Sequence, residues 1–288
     1  MKQQDQRFKD EVVRNDKYVT EIPTQITLEE AHADNPFHTE NMYIFGYEHT
    51  DLMENKDFLD MTFLMLQGEL PTSEQKRGCE KLMCCLINPG PRHPASRAAM
   101  NAGVARTKMQ HVLPLSLLVA SGSYMGSEDV FNAMRFLYKS IDDPAESVAN
   151  KAIETAQFDC QENPQIAAGF GSYYGGIDTY AAKLANYLEQ YNPQGQYFSY
   201  AKSLINNWQH LNAGWLLSGL TASVLCDLGF EPKQGHLIFQ LAIAPGLAAH
   251  GAEKSKKPVT DMPFVSEQNY FIDESALSHY VKKGNGHV

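Results

Sequence analysis

Apolar residues recur at three- and four-residue steps along most of the chain, the period of a helix with one buried face. Phe58, Met61, Thr62, Met65 and Leu66 fall on that period, and Pro71 stops it. Thr72-Ser73-Glu74-Gln75 then offers hydroxyls that can accept the free amide hydrogens of a following helix. The run from Val112 to Ala120 is apolar on every side, which predicts a helix at the centre of a large helical body, with Pro114 in its first turn. Helices are also predicted over residues 129–139, 145–158, 177–191, 201–211, 215–228 and 235–250. In the clearest of these, Ile177, Tyr180, Leu184, Tyr187 and Leu188 make one stripe, while Asp178, Lys183, Asn186 and Glu189 face away. No alternating strand pattern exceeds four residues. Residues 1–40 are polar and carry Pro23 and Pro36, so they are expected to form an arm outside the core. The pattern predicts an all-α fold.

Composition narrows the partners. The 288 residues can bury a large core. A net charge of −10, spread along the chain, argues against nucleic acid or an anionic membrane surface as partner. Five cysteines without a CxxC pair suggest a reducing compartment rather than a disulfide framework. The amino terminus is too polar for a signal peptide and no apolar run is long enough to span a membrane, so a cytoplasmic protein is expected. HExxH, Walker, GxSxG and complete GxGxxG motifs are absent, and His38 and His49 lack metal-ligand spacing; no metal and no tightly bound cofactor are expected.

Two motifs go further. Gly46-Tyr47-Glu48-His49-Thr50-Asp51-Leu52 is followed by Leu66-Gln67-Gly68-Glu69-Leu70-Pro71-Thr72. Together, in order and at this spacing, they resemble the start of the citrate synthase fold, and the chain's length is closer to the short citryl-CoA lyase modules. The resemblance covers about residues 40–255. It implies a homodimer with a large helical domain, residues 41–124 and 215–288, interrupted by a small one, residues 125–214. It also implies chemistry on an acyl-CoA and a 2-oxo acid, with a coenzyme A thioester as substrate.

Such chemistry needs a base at the carbon beside the thioester, a donor for the enolate and cations for the carboxylates. The resemblance places the family's two histidines and its aspartate at three turns. Met125 stands at the first, in Ser121-Gly122-Ser123-Tyr124-Met125-Gly126-Ser127, and a thioether does not titrate. Ser172 stands at the second, after the retained Gly169-Phe170-Gly171, whose glycines let backbone approach a ligand. At the third, Asn212-Ala213-Gly214-Trp215 keeps the asparagine, and the acid becomes Gly214 or Trp215. His93 matches a histidine that contacts the oxo acid in the family; Arg92, Arg97 and Arg106 are candidate anion holders, although lone arginines are commonly solvated charges. His250 is expected to be structural. Two functions follow: an acyl-CoA enzyme of altered chemistry with His93 and Ser172 as its catalytic groups and Arg92, Arg97, Gly169, Phe170, Gly171 and Asn212 holding substrate, or a non-catalytic regulatory or scaffold homodimer.

Overall fold

The computed structural model describes residues 23–156, 158, 164–192, 194–263 and 265–270. These fall into two compact units, one ending at Pro71 and the other beginning at Thr72.

The first unit opens with a hairpin of β1 (Thr27–His32) and β2 (Asn35–Ile44), and β2 also pairs with β3 (Tyr47–Glu48). The polar arm expected over residues 1–40 is therefore partly a strand ribbon, although no alternating pattern marked it. The ribbon carries polar residues on both faces and is almost wholly exposed, so it lacks the apolar alternation that marks a strand. Cross-strand bonds from Thr39 to Glu29 (3.2 Å) and Asn41 to Glu30 (3.1 Å) help hold it. Residues 1–22 of the expected arm lie outside the described residues.

Helices α1 (His49–Asn55) and α2 (Phe58–Gln67) follow. Asp57 and Asp60 form a capping box at the start of α2, and Gly68 closes it in the left-handed conformation at φ 78°. Ile44, Leu52 and Leu64 form the core of this unit, with Met42, Phe45, Met61 and Leu70 packed against it. The buried face of α2 carries Phe63 and Leu64; of the expected stripe Met61 packs against this core, while Phe58 is 81% exposed.

The second unit contains α3 (Ser73–Leu86), α4 (Pro94–Val104), α5 (Met109–Val119), α6 (Ser127–Ser140), α7 (Ala145–Ala156), α8 (Thr179–Leu188), α9 (Gln196–Trp208), α10 (Leu217–Asp227) and α11 (Pro232–Ser255). A small sheet of β4 (Gln165–Ala167), β5 (Phe170–Gly171) and β6 (Gly214–Trp215) links the loops between them. Helix α11 packs on α3, α4, α5 and α6, while α10 packs on α6 and α9. The Thr72 restart is a capping box with Gln75, as expected.

The central helix is α10, not α5. Every residue from Ser218 to Cys226 is buried, and the hydroxyls of Thr221 and Ser223 bond the carbonyls of Leu217 and Gly219 one turn back, so polar letters disguise a buried segment. In α5 only Val112 and Ser116 are buried, and Leu118 is 76% exposed. Pro114 lies within α5 rather than in its first turn, because the helix begins at Met109. Helix α8 likewise buries Ala181, Ala185 and Leu188, leaving Tyr180 and Tyr187 exposed; small residues permit its close approach.

Candidate functional site

Local chemistry builds the first turn. Helix α5 is followed by its C-cap Ala120, whose carbonyl accepts from Ser127 N–H (2.8 Å) and so closes the loop 121–126. Gly126 is packed so that a Cβ would meet Gly122 O at 2.3 Å, and Met125 holds φ 59°, uncommon for a residue with a side chain. The Met125 peptide is clamped at both ends. Its N–H donates to Tyr173 Oη (3.2 Å), and its carbonyl accepts from His93 Nε2 (2.8 Å).

His93 is the N-cap of α4, with Pro94 as the first helical residue. Its Nδ1 accepts from Ala95 N–H (3.2 Å), so the proton must sit on Nε2, which donates to Met125. The ring is buried, and that burial, aided by the charge of Arg97, lowers its pKa, although the Met125 bond opposes the shift. His93 is therefore a neutral imidazole with both nitrogens engaged inside the protein.

The second turn meets the third through the small sheet, where Phe170 pairs with Trp215 and Gly171 with Gly214. Gly169 adopts φ 81° and lies against Gly219 of α10, where a Cβ would meet backbone at 2.6 Å. Phe170 is fully buried, with its ring near those of Trp208 and Trp215 at centroid distances of 5.8 and 5.7 Å. Ser172 is buried; its hydroxyl donates to Gly176 O (2.5 Å), and its N–H donates to Pro164 O (2.8 Å). Trp215 stacks on Phe198 (5.2 Å) as core, and a Cβ on Gly214 would meet Ile177 at 3.3 Å. Tyr173 thus joins the first turn to the second, and the small sheet joins the second to the third.

Asn212 is exposed at φ 55°, ending a 3₁₀ turn over Gln209–Leu211. Arg92 and Arg97 are exposed. Arg106 donates to the Ser255 and Lys257 carbonyls and so fastens the end of α11. His250 bonds Asn88 Oδ1 (3.0 Å), the structural part expected of it.

Sequence reasoning missed the polar centre beneath these turns. Asp129, 1% exposed, accepts from Gln165 Nε2 (2.8 Å), Tyr173 Oη (2.7 Å) and Ser218 Oγ (2.6 Å). Tyr173 Oη also accepts from Gln165 Nε2 (3.1 Å). Three neutral donors from β4, α10 and the segment after β5 thus surround one carboxylate at the start of α6. Burial and the Asp129 charge push the Tyr173 phenol above its ordinary pKa, so it stays a donor. The available signal was Asp129 in the first turn of a helix directly after a glycine-bounded loop.

One imidazole and carboxylate also approach each other beside the first turn. His236 Nε2 lies 3.7 Å from Glu128 Oε2, its Nδ1 lies 3.4 Å from Ser127 Oγ, and its ring stacks on Phe131 at 4.7 Å. Among the described residues no group of three His, Cys, Asp or Glu is placed to hold a metal ion, and no helix is long and apolar enough to cross a membrane.

No family model and no curated protein sequence matches the chain. Solved structures do match. Citryl-CoA lyase from Hydrogenobacter thermophilus matches over 89% of this chain and 99% of its own, with a TM-score of 0.68 at 23% identity. ATP citrate lyase from Methanosaeta concilii, solved with citryl-CoA, matches over 91% of this chain and 43% of its own, with a TM-score of 0.69 at 15% identity. Citrate synthase from Thermoplasma acidophilum, solved with carboxymethyl coenzyme A and oxaloacetate, matches over 75% and 57%, with a TM-score of 0.57 at 15% identity. The chain has the citrate synthase fold, as its two motifs predict.

Proposed function

We propose that this protein is a non-catalytic homodimer of the citrate synthase fold, a regulatory or scaffold subunit. One observation carries the reading: the polar atoms of His93 and Ser172 are bonded to the protein's own backbone, and Met125, Gly214 and Trp215 offer no titrating group. A general base must reach a substrate proton with a free lone pair. In His93 the Nδ1 lone pair already accepts the α4 amide, and Nε2 carries the proton.

The dimer in this reading rests on apolar surface. Leu115, Leu118 and Val119 of α5 and Leu237 and Leu241 of α11 are exposed on helices that pack together. Large apolar side chains exposed on adjoining helices mark an association surface. The large domain, 41–124 with 215–288, and the small domain, 125–214, belong to the same proposal.

The test is product formation by purified protein from citryl-CoA alone, and from coenzyme A thioesters with 2-oxo acids. No product above the protein-free control is expected. Turnover abolished by Ser172→Ala or His93→Ala would refute this reading.

A second reading has its own observation. Glu128 of the His236–Glu128 pair lies three residues after Met125 in sequence, and the pair is partly exposed, with side chains 30% and 41% accessible. This favours an enzyme that forms or breaks a carbon–carbon bond between an acyl-CoA and a 2-oxo acid with relocated proton-transfer groups. Turnover lost in His236→Gln but kept in His93→Gln would support it.

A further inference from the structure

A cavity of about 460 Å³, a size that takes a small organic molecule, opens at the far end of α10 from the three turns. Ser218 near the start of that helix bonds Asp129, whereas Asp227 at its end lines the cavity, about 14 Å away along the axis. Its wall is built to close tolerances. Gly195 gives α9 no side-chain cap, and Asp227 supplies one from α10: its carboxylate accepts from the N–H groups of Tyr197 (2.8 Å) and Phe198 (3.0 Å) and from Asn192 Nδ2 (2.7 Å). A Cβ on Gly195 would meet Asn192 Nδ2 and Asp227 Oδ2 at 2.3 Å, so the pair closes only over glycine. The groups that remain free are neutral. Gln75 Nε2, Asn192 Oδ1, the Tyr197 hydroxyl and the carboxamides of Gln190, Gln194 and Gln196 line the cavity without a hydrogen bond to another described residue.

We propose that this cavity binds a neutral, hydroxyl-rich small molecule, a mono- or disaccharide or a cyclic polyol. Carboxamides and phenols both donate and accept, as hydroxyl groups do, so the free groups match such a ligand and bury no unpaired charge. Tyr191 and Tyr197 add aromatic surface for its C–H face. Charge selects against ions of either sign. The lining sets Glu74 and Asp227 against Arg77, whose guanidinium lies over the Tyr191 ring at 5.0 Å; Lys81, over the same ring at 5.8 Å, is paired with Glu80 at 3.2 Å. An anion would meet the two carboxylates, and Asp142 adds a third near Tyr197. A cation would find Asp227 already holding three N–H donors. This inference goes beyond the non-catalytic reading and does not rest on it, because none of the lining residues belongs to the three turns.

The experiment is saturation-transfer NMR on the full-length protein with neutral hexoses, pentoses, disaccharides and inositols, beside glucose 6-phosphate and glucosamine as charged controls. Signal from at least one neutral sugar or inositol, with a Kd of about 1 mM, and none from the charged pair is expected. Gln194→Ala/Gln196→Ala removes two exposed carboxamides without touching the core, and should weaken that ligand about tenfold. Tyr197→Phe keeps the ring and deletes one hydroxyl, so a smaller loss is expected, and circular dichroism verifies that both variants are folded. No neutral ligand bound, preference for a charged control, or equal binding by the glutamine variant would overturn the proposal. Turnover of an acyl-CoA by the wild type would count against the non-catalytic reading and leave the sugar result to decide this one.

Discussion

His93 donates through Nε2 to the carbonyl of Met125 at 2.8 Å, joining the start of α4 to the loop that ends at α6. The same ring accepts the Ala95 amide, so one neutral side chain caps a helix and locks a turn.

Removing that side chain should cost stability. His93→Ala deletes the cap and leaves the Met125 carbonyl without its donor, for a loss of about 1–3 kcal/mol. His93→Asn restores a capping oxygen without reaching Met125, and should recover part of it. Denaturant midpoints at neutral pH decide the matter; an alanine variant as stable as wild type would contradict the described bonds.

The same ring sets a pH dependence. Its pKa is lowered in the folded protein, so the unfolded chain binds the proton first as pH falls. The contribution of His93 is complete above its unfolded value, about 6.5, and is lost below it. The stability difference between wild type and His93→Gln should therefore shrink from pH 7.5 to pH 5.5, values chosen about one unit either side of that reference. Urea titrations across that range measure it, and a difference that grows on acidification would refute the neutral, buried ring.

Asp129→Asn should place a donor against the hydroxyls of Tyr173 and Ser218, costing about 1.5–3 kcal/mol. Paired with Ser218→Ala, the effects should be less than additive, since both remove the same bond. Additive losses in denaturant melts would show that the two groups do not interact.

Gly219→Ala separates packing from backbone strain. Its Cβ would meet Gly169 O at 2.1 Å, so about 1–3 kcal/mol or more should be lost, with reduced folded yield. Gly175→Ala, with φ 77° and open space, should cost only the left-handed backbone, about 1–2 kcal/mol. Thermal midpoints should rank Gly219→Ala below Gly175→Ala.

Leu118→Asp should dissociate the proposed dimer without unfolding the protomer, because this side chain is 76% exposed. Sedimentation velocity reads the outcome, and an unchanged sedimentation coefficient would place the interface elsewhere.

Motif and period made the helices and fold legible, because Gly68-Glu69-Leu70-Pro71-Thr72 stops one helix and caps the next through local hydrogen bonds. Burial was less legible. Helix α10 hides its central position behind hydroxyls satisfied one turn back, whereas α5, despite its apolar run, buries only Val112 and Ser116. A single chain's pattern does not distinguish burial in a core from burial against another copy. The hairpin escaped notice because cross-strand polar pairs hold it without an apolar face. The resemblance singled out the three turns but not the carboxylate beneath them. Asp129 and its donors Gln165, Tyr173 and Ser218 are separated by 36, 44 and 89 positions, so no local spacing reveals them.

Proton exchange at the thioester's α-carbon tests the absence of acid–base machinery most directly. Full-length protein is incubated in D₂O with an acyl-CoA thioester, with and without a 2-oxo acid, and the α-proton signal is followed by NMR. The account predicts loss of that signal no faster than in protein-free buffer. Protein-dependent exchange that vanishes in His93→Gln, Ser172→Ala or His236→Gln would contradict it.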